Sequence, residues 1–161
     1  MRLSTIGYEG LTSESFFQIL FNNGVRHLVD VRAVAMSRKP GFAKTALTNG
    51  CLNLGLKYSH WPMLGCPSDI RAAYRINDDW DEYTESYLPY LESQTEVVRE
   101  LAQLALREHC ALLCFEADAN FCHRLFVADA LVALYPRRLN LVHLNQTTNA
   151  LAAASLALAG R

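Results

Sequence analysis

LSTIGYEGLTSESFFQILFNNGVRHLVDV, residues 3–31, decides the fold. It opens on a short apolar run, Leu3 to Ile6, that stops at Gly7 and reads as a buried strand. Thr12 follows, and its hydroxyl can cap the free amides of a first helical turn. Phe16, Phe17, Ile19 and Leu20 mark the apolar face of a helix, which Asn22-Asn23-Gly24 ends. Val25 to Val31 is a second strand. Strand, helix and strand in so few residues form a βαβ unit, which demands parallel pairing and a right-handed crossover.

The pattern continues outward from this unit. Ala33 to Lys44 (AVAMSRKPGFAK) is a loop broken at Pro40-Gly41. Thr45 to Leu54 is a helix ending at Gly55, and Leu56 to Trp61 is a third strand closed by Pro62. Cys66 to Asn77 reads as irregular. Asp79 to His109 carries a helical stripe of Tyr83, Tyr87, Leu91, Val98, Leu101, Leu104 and Ala105, which Pro89 is expected to kink or split. Ala111 to Phe115 is an uninterrupted apolar run, typical of a central strand covered on both faces. Another helix, FCHRLFVADALVAL, begins near Asn120 and ends at Tyr135-Pro136. Leu139 to Leu144 is the last strand, and the Ala-rich tail from Ala150 to Ala159 reads as a packing helix. With no repeat or linker in view, the expectation is a single α/β domain over residues 1–161. It is a three-layer sandwich, a mainly parallel sheet of about five strands flanked by helices.

At 161 residues the chain fits one domain, and a core burying roughly 70% of the unfolded surface needs no staples. The net charge is −1, whereas a protein that coats nucleic acid non-specifically carries a clear positive excess. Any nucleic-acid contact must therefore come from a local patch. The cysteines, Cys51, Cys66, Cys110, Cys114 and Cys122, are odd in number, and the opening MRLSTIGYEG reads as a strand rather than a secretory signal. The expectation is a reducing, cytoplasmic compartment and no disulfide framework. No apolar run reaches the ~18 residues that cross a bilayer, so no membrane partner is expected.

In open parallel sheets, ligands bind beyond the carboxyl ends of the strands. Polar and ionisable groups recur at those ends: Tyr8 and Glu9 after the first, Asp30 and Arg32 at the second, His60 and Trp61 at the third, Glu116 and Asp118 after the fourth. The loop after the second strand adds Ser37, Arg38, Lys39 and Phe42. The candidate catalytic groups are Glu9, Asp30, Glu116, Cys122 and His123. The candidate ligand-binding groups are Tyr8, Arg32, Ser37, Arg38, Lys39, Phe42, His60 and Arg124. Each also has a plainer reading. Asp30 and Arg32 can form an internal salt bridge, Ser37 to Lys44 can be a solvated loop, Tyr8 and Trp61 can be packing, and His60 can be a satisfied core histidine. Cys51, Cys66 and Cys110 read as small hydrophobes, and Cys114, on a covered strand, reads the same way. Asp78 to Tyr87 reads as a solvated helix face over Trp80 and Tyr83.

Cys122-His123-Arg124, read on the first turn of a helix, is the most informative cluster. A helix N-terminus and neighbouring cations favour a thiolate. The same features suit a phosphate cradle. Adjacent Cys and His side chains point about 100° apart on a helix, so they are poor joint ligands for one metal unless a third group reaches in. The spacing from Cys114 to Cys122 matches no standard metal signature.

TIGYEG, LVDVR, SRKPGF, and LLCFEAD followed by CHR, in this order, resemble the domain of unknown function 488 family. The resemblance covers Thr5 to about Leu134. It implies a small bacterial or archaeal cytoplasmic α/β protein. Its signature positions here are Gly7, Tyr8, Glu9, Asp30, Arg32, Ser37, Arg38, Pro40, Gly41, Phe42, Glu116, Cys122, His123 and Arg124. Relatives often carry a second glycine where Cys66 follows Leu64-Gly65, and a proline where this chain has Ala119. The resemblance supplies no reaction.

Two functions from different classes, and a plainer third, follow from the residues. The first is binding or processing of a phosphate-bearing ligand, a nucleotide or a nucleic-acid end. The second is a thiol- or metal-centred protein using Cys122, with His123 or His60 assisting. The third is a non-catalytic interaction module. No nucleotide-cofactor motif is present, a metal ion at the site stays open, and the apolar C-terminal helix allows a homo-oligomer. Whatever the chemistry, Glu9, Arg32, Glu116 and Cys122 are expected around one crevice.

Overall fold

The computed structural model describes residues 1–159. One sheet holds β1 (Arg2–Gly7), β2 (His27–Asp30), β3 (Lys57–His60), β4 (Cys110–Cys114) and β5 (Asn140–Leu144). Its spatial order is β3-β2-β4-β1-β5, and every pairing is parallel. The expected α/β sandwich with its parallel sheet is what the chain forms. The helices are α1 (Ser13–Asn22), α2 (Lys44–Asn53), α3 (Ser68–Asn77), α4 (Trp80–Ser93), α5 (Thr95–Ala105), α6 (His123–Leu134) and α7 (Gln146–Ala159). Thr12 caps α1 as expected, its Oγ1 accepting from the Ser15 amide at 3.1 Å. No helix among the described residues is long and apolar enough to cross a membrane.

From β1 through β2 to β3 the chain moves one way across the sheet, and from β3 through β4 to β5 it moves the other way. Right-handed crossovers therefore put α1 and α2 on one face and α3 to α6 on the other. The cores agree with this sorting. Phe16, Ile19, Leu20 and Leu47 pack with Ile6, Leu28 and Leu113 on the first face. Tyr87, Leu101, Val127 and Leu131 pack with Leu3, Val29 and Leu112 on the second. α7 returns to the first face and lies against α1, where Asn22 Nδ2 donates to Asn149 Oδ1 at 2.8 Å. β4 thus sits between β2 and β1, whose outgoing loops turn to one face, while its own loop turns to the other. That divergence is a topological switch point, which opens a crevice above β4.

Three local expectations are corrected. Cys66 to Asn77 is not irregular throughout: Ser68 to Asn77 is α3, with Ile70 and Tyr74 leaning on the core and no residue fully buried. The long helical stretch does not break at Pro89, which sits inside α4; it breaks at Gln94. There Ser93 Oγ donates to the Tyr90 carbonyl and Thr95 Oγ1 to the Glu92 carbonyl, both at 2.6 Å, so hydroxyls compete with the helical ladder. Finally, α6 begins at His123 rather than near Asn120. A 3-10 turn, Ala119–Phe121, precedes it, and the Asp118 side chain caps that turn by accepting from the Asn120 amide at 2.9 Å.

One close approach sets the height of the β4 loop. A Cβ placed on Gly7 would lie 1.7 Å from the Glu116 carbonyl oxygen and 2.5 Å from its carbon. Only glycine lets the end of β1 pass under that peptide. Gly10, by contrast, has a φ of +73° and open space around its Cα. Gly7→Ala should therefore lower unfolding stability in urea by roughly 3 kcal/mol, because backbone must move. Gly10→Ala should cost only about 1 kcal/mol of backbone strain. Equal losses in the two variants would remove the close approach as a constraint.

Candidate functional site

The end of β2 carries a closed polar cluster. Arg32 Nε donates to Asp30 Oδ1 at 2.8 Å and Nη2 donates to Oδ2 at 2.6 Å. Arg32 Nη1 donates to the Tyr8 hydroxyl and to the Phe42 carbonyl, both at 3.0 Å. Asp30 Oδ2 also accepts from the Tyr58 hydroxyl at 2.7 Å, and His60 Nε2 donates to the Arg32 carbonyl at 2.8 Å. Tyr8 is buried and stacked on Phe42, ring centroids 4.4 Å apart. Lys39 Nζ donates to the Tyr8 carbonyl at 3.0 Å. Burial alone would lower the Arg32 pKa, but the Asp30 carboxylate raises it above its ordinary value. Tyr8, Asp30, Arg32, Lys39, Phe42 and His60 are thus brought together with their polar atoms directed at one another.

The remaining expected residues lie around this cluster. Ser37 Oγ accepts from the Lys39 amide at 3.1 Å, and Arg38 is exposed. Glu9 Oε2 accepts from the Ala117 amide at 2.9 Å and lines a neighbouring hollow with Leu11, Leu144 and Thr147. Arg124 is buried, donating from Nη1 to the Glu116 carbonyl at 2.6 Å and from Nη2 to the Ala117 carbonyl at 3.1 Å. Arg124 and Glu9 therefore hold the β4 loop from two sides. Arg124 Nε is the only buried side-chain nitrogen or oxygen without a hydrogen-bond partner among the described residues.

Above the end of β4 lies a cleft of about 260 Å³. Tyr8, Arg32, Cys114, Glu116, Cys122 and His123 reach it from the strand ends, and Arg71, Tyr74, Arg75, Trp80 and Tyr83 reach it from α3 and α4. Of the four residues expected around one crevice, Arg32, Glu116 and Cys122 line this cleft; Glu9 does not, because its carboxylate turns to the Ala117 amide and lines a separate hollow.

The cleft floor is a sulfur–imidazole centre. Cys122 is the N-cap of α6, with extended backbone (φ −146°, ψ 135°), not a residue of its first turn. Its side chain is therefore freed from the helical angle to His123. Cys114, the last residue of β4, alternates with Cys110 and Leu112 onto the α6 face. His123 Nδ1 lies 3.7 Å from Cys114 Sγ and 4.0 Å from Cys122 Sγ. His123 Nε2 donates to the Val31 carbonyl at 2.9 Å. A carbonyl only accepts, so Nε2 carries a proton and Nδ1 faces the sulfurs. Cys114 Sγ donates to Glu116 Oε2 at 3.0 Å.

Burial opposes ionisation of Cys122, yet the Cys114 thiol and the His123 and Arg124 charges bring its pKa well below that of an ordinary thiol. Cys114 moves the opposite way, raised first by its hydrogen bond to Cys122 and then by burial. Burial pulls the His123 pKa down, but the Cys122 sulfur outweighs it and holds it above the usual histidine value. Burial, and then the Cys122 charge, raise the Glu116 carboxyl. Both shifts favour charge on the Cys122 sulfur and a proton on the Cys114 sulfur. Such a centre can attack an electrophile, and it can ligate a soft metal.

Cys114, Arg71, Tyr74 and Arg75 were not among the expected site residues. Arg71 and Arg75, spaced i,i+4, share one face of a helix. The residue just before the FEAD turn is the position where a covered strand emerges at the sheet's end.

The fold and centre define a class: an α/β sandwich with a cysteine–histidine centre at the switch point of a parallel sheet. The chain matches the model of a family described as domain of unknown function DUF488 over residues 12–131 and belongs to that family. The TIGYEG string lies ahead of the matched segment. No curated protein and no solved structure matches the chain.

Two measurements test the geometry. Asp30→Asn leaves the buried Arg32 charge without its partner, so urea unfolding should show a loss of roughly 3–5 kcal/mol; a loss under about 1 kcal/mol would mean water replaces the carboxylate. In chelator-treated protein, site-resolved iodoacetamide labelling should begin at Cys122 at a pH below the ~8.5 of a free thiol. Cys51 and Cys110, which burial pushes up to about 12, should label last. A Cys122 midpoint at or above the free-thiol value would contradict the lowered Cys122 pKa.

Proposed function

We propose that this protein binds a small phosphate-bearing ligand, a nucleotide or a nucleic-acid end, in the cleft and presents it to the Cys122–His123 centre. One observation carries the reading. The cleft joins that centre to two arginines, Arg71 and Arg75, which have no salt-bridge partner among the described residues. The cations first expected to meet the anion are engaged elsewhere. Arg32, Lys39 and Arg124 each donate to protein acceptors, and Arg38 does not line the cleft. The aromatic wall of Tyr74, Trp80 and Tyr83 offers a base or other flat group a surface beside the arginines. The cleft volume suits a ligand near the small end of the usual range of about 300–1,000 Å³.

The proposal extends to context. All five cysteines are free, as a cytoplasmic protein's are kept. Residues 1–161 are taken as one domain, and self-association through α7, where Leu151 is exposed, accompanies the reading.

Calorimetric titration with inorganic phosphate, pyrophosphate and a nucleotide panel tests it. Arg71→Ala and Arg75→Ala should each weaken binding about 10-fold and lower its salt dependence, while Arg38→Ala leaves it unchanged. The reading is abandoned if the unaltered protein binds no member of the panel at millimolar ligand.

A further inference from the structure

We propose that Cys114, Cys122 and His123 form a binding site for a thiophilic divalent cation of the zinc class, with one coordination position left facing the cleft. The two sulfurs and His123 Nδ1 all lie within 4.8 Å of one another. In a tetrahedral zinc site, bonds of ~2.3 Å to sulfur and ~2.0–2.1 Å to nitrogen put the sulfur–nitrogen edges at about 3.6 Å. The two observed sulfur–nitrogen edges, 3.7 and 4.0 Å, need only a few tenths of an ångström of closure, and the sulfur–sulfur edge, within 4.8 Å, closes toward about 3.8 Å, the span of two such bonds.

The imidazole is already set for the task. Metal-bound histidines usually donate their second ring N–H to a carbonyl or carboxylate, which fixes tautomer and orientation. His123 does this through Nε2 to the Val31 carbonyl at 2.9 Å, so neutral His123 aims the Nδ1 lone pair between the two sulfurs. Neighbouring positions in sequence are no obstacle here, because Cys122 stands outside the helix in extended backbone and β4 supplies the third ligand.

The charge balance points the same way. Two thiolates and a divalent cation sum to zero, so a filled site adds no net charge to repel an anionic ligand. Binding releases the Cys114 proton, with Glu116 Oε2, 3.0 Å away, as the adjacent acceptor. All three ligands and Glu116 line the cleft, so the remaining position faces whatever enters past Arg71 and Arg75. The inference rests on the cleft being the site of chemistry, and it names what the centre holds there.

The test is titration of reduced, chelator-treated full-length protein with cobalt(II), followed by thiolate-to-metal charge-transfer absorption and the visible bands of tetrahedral cobalt. One equivalent should bind, and zinc should displace it. Cys114→Ser is the decisive variant, because a lone nucleophilic Cys122 has no need of Cys114. It should weaken cobalt binding at least ~10-fold, while Cys51→Ser binds as the unaltered protein does. Circular dichroism checks the fold, and Cys122→Ser carries the same comparison if Cys114→Ser does not fold. No charge-transfer band in the unaltered protein, or undiminished binding in the Cys114 variant, overturns the proposal. Cobalt binding with no phosphate-ligand binding strikes the ligand reading alone, and the reverse result strikes the metal site alone.

Discussion

A buried guanidinium, that of Arg32, ties the upper end of the molecule together. Four of its five donors meet protein acceptors, and an unpaired charge in the interior is expensive. Asp30 supplies two from β2, the Tyr8 hydroxyl one from beyond β1, and the Phe42 carbonyl one from the loop before α2. Tyr58 and His60 add β3 to the same cluster. The Arg32 side chain thus joins the ends of β1 and β2, and β3 is tied in through the Asp30 carboxylate and the Arg32 carbonyl. Glycine at position 7 then lets the β4 loop settle beside β1, and Arg124 and Glu9 hold its peptides. The cleft floor is thus built on backbone that neighbouring side chains fix in place.

Strand alternation divides the labour between the two faces. Tyr8 and Phe42, which cover Arg32, belong to the core beneath α1 and α2. Cys110 and Leu112 belong to the core beneath α4 to α6, and Cys114 continues their side of β4. The closed cluster and the sulfur centre therefore back onto opposite layers and meet only at the rim, where both touch the cleft. A salt bridge with satisfied partners makes the frame rigid. The sulfur pair keeps an uneven proton distribution, which is what gives it chemical potential.

Much of this was legible in the sequence, for identifiable reasons. The βαβ opening fixed parallel pairing, and parallel pairing sent the search to the strand ends, where Arg32, Glu116, Cys122 and His123 do share a cleft. Cys114 was set aside because a covered strand and a functional site look like alternatives in a linear string. At the last residue of a strand they coincide. α3 escaped notice because it buries nothing fully, so its apolar periodicity is carried by Ile70 and Tyr74 alone. Pro89 was overvalued as a breaker: the side-chain hydroxyls of Ser93 and Thr95 ended α4 instead. The loop cations Arg38 and Lys39 were conspicuous in sequence, but the geometry turns Lys39 inward and leaves Arg38 outside the cleft.

The shallow seating of α3 has a consequence for the history of such a protein. In the frame around Arg32 and in the sulfur centre, side chains such as Arg32, Asp30 and His123 each answer to several others. α3 is different: it contributes Arg71, Tyr74 and Arg75 to the cleft wall while placing no fully buried residue in the core. On the proposed reading, substitutions along it would alter which molecules are admitted without unfolding what receives them. Selectivity and reactivity would then reside on separable parts of the chain, so descendants of one ancestral centre could drift toward different ligands through a single ten-residue helix.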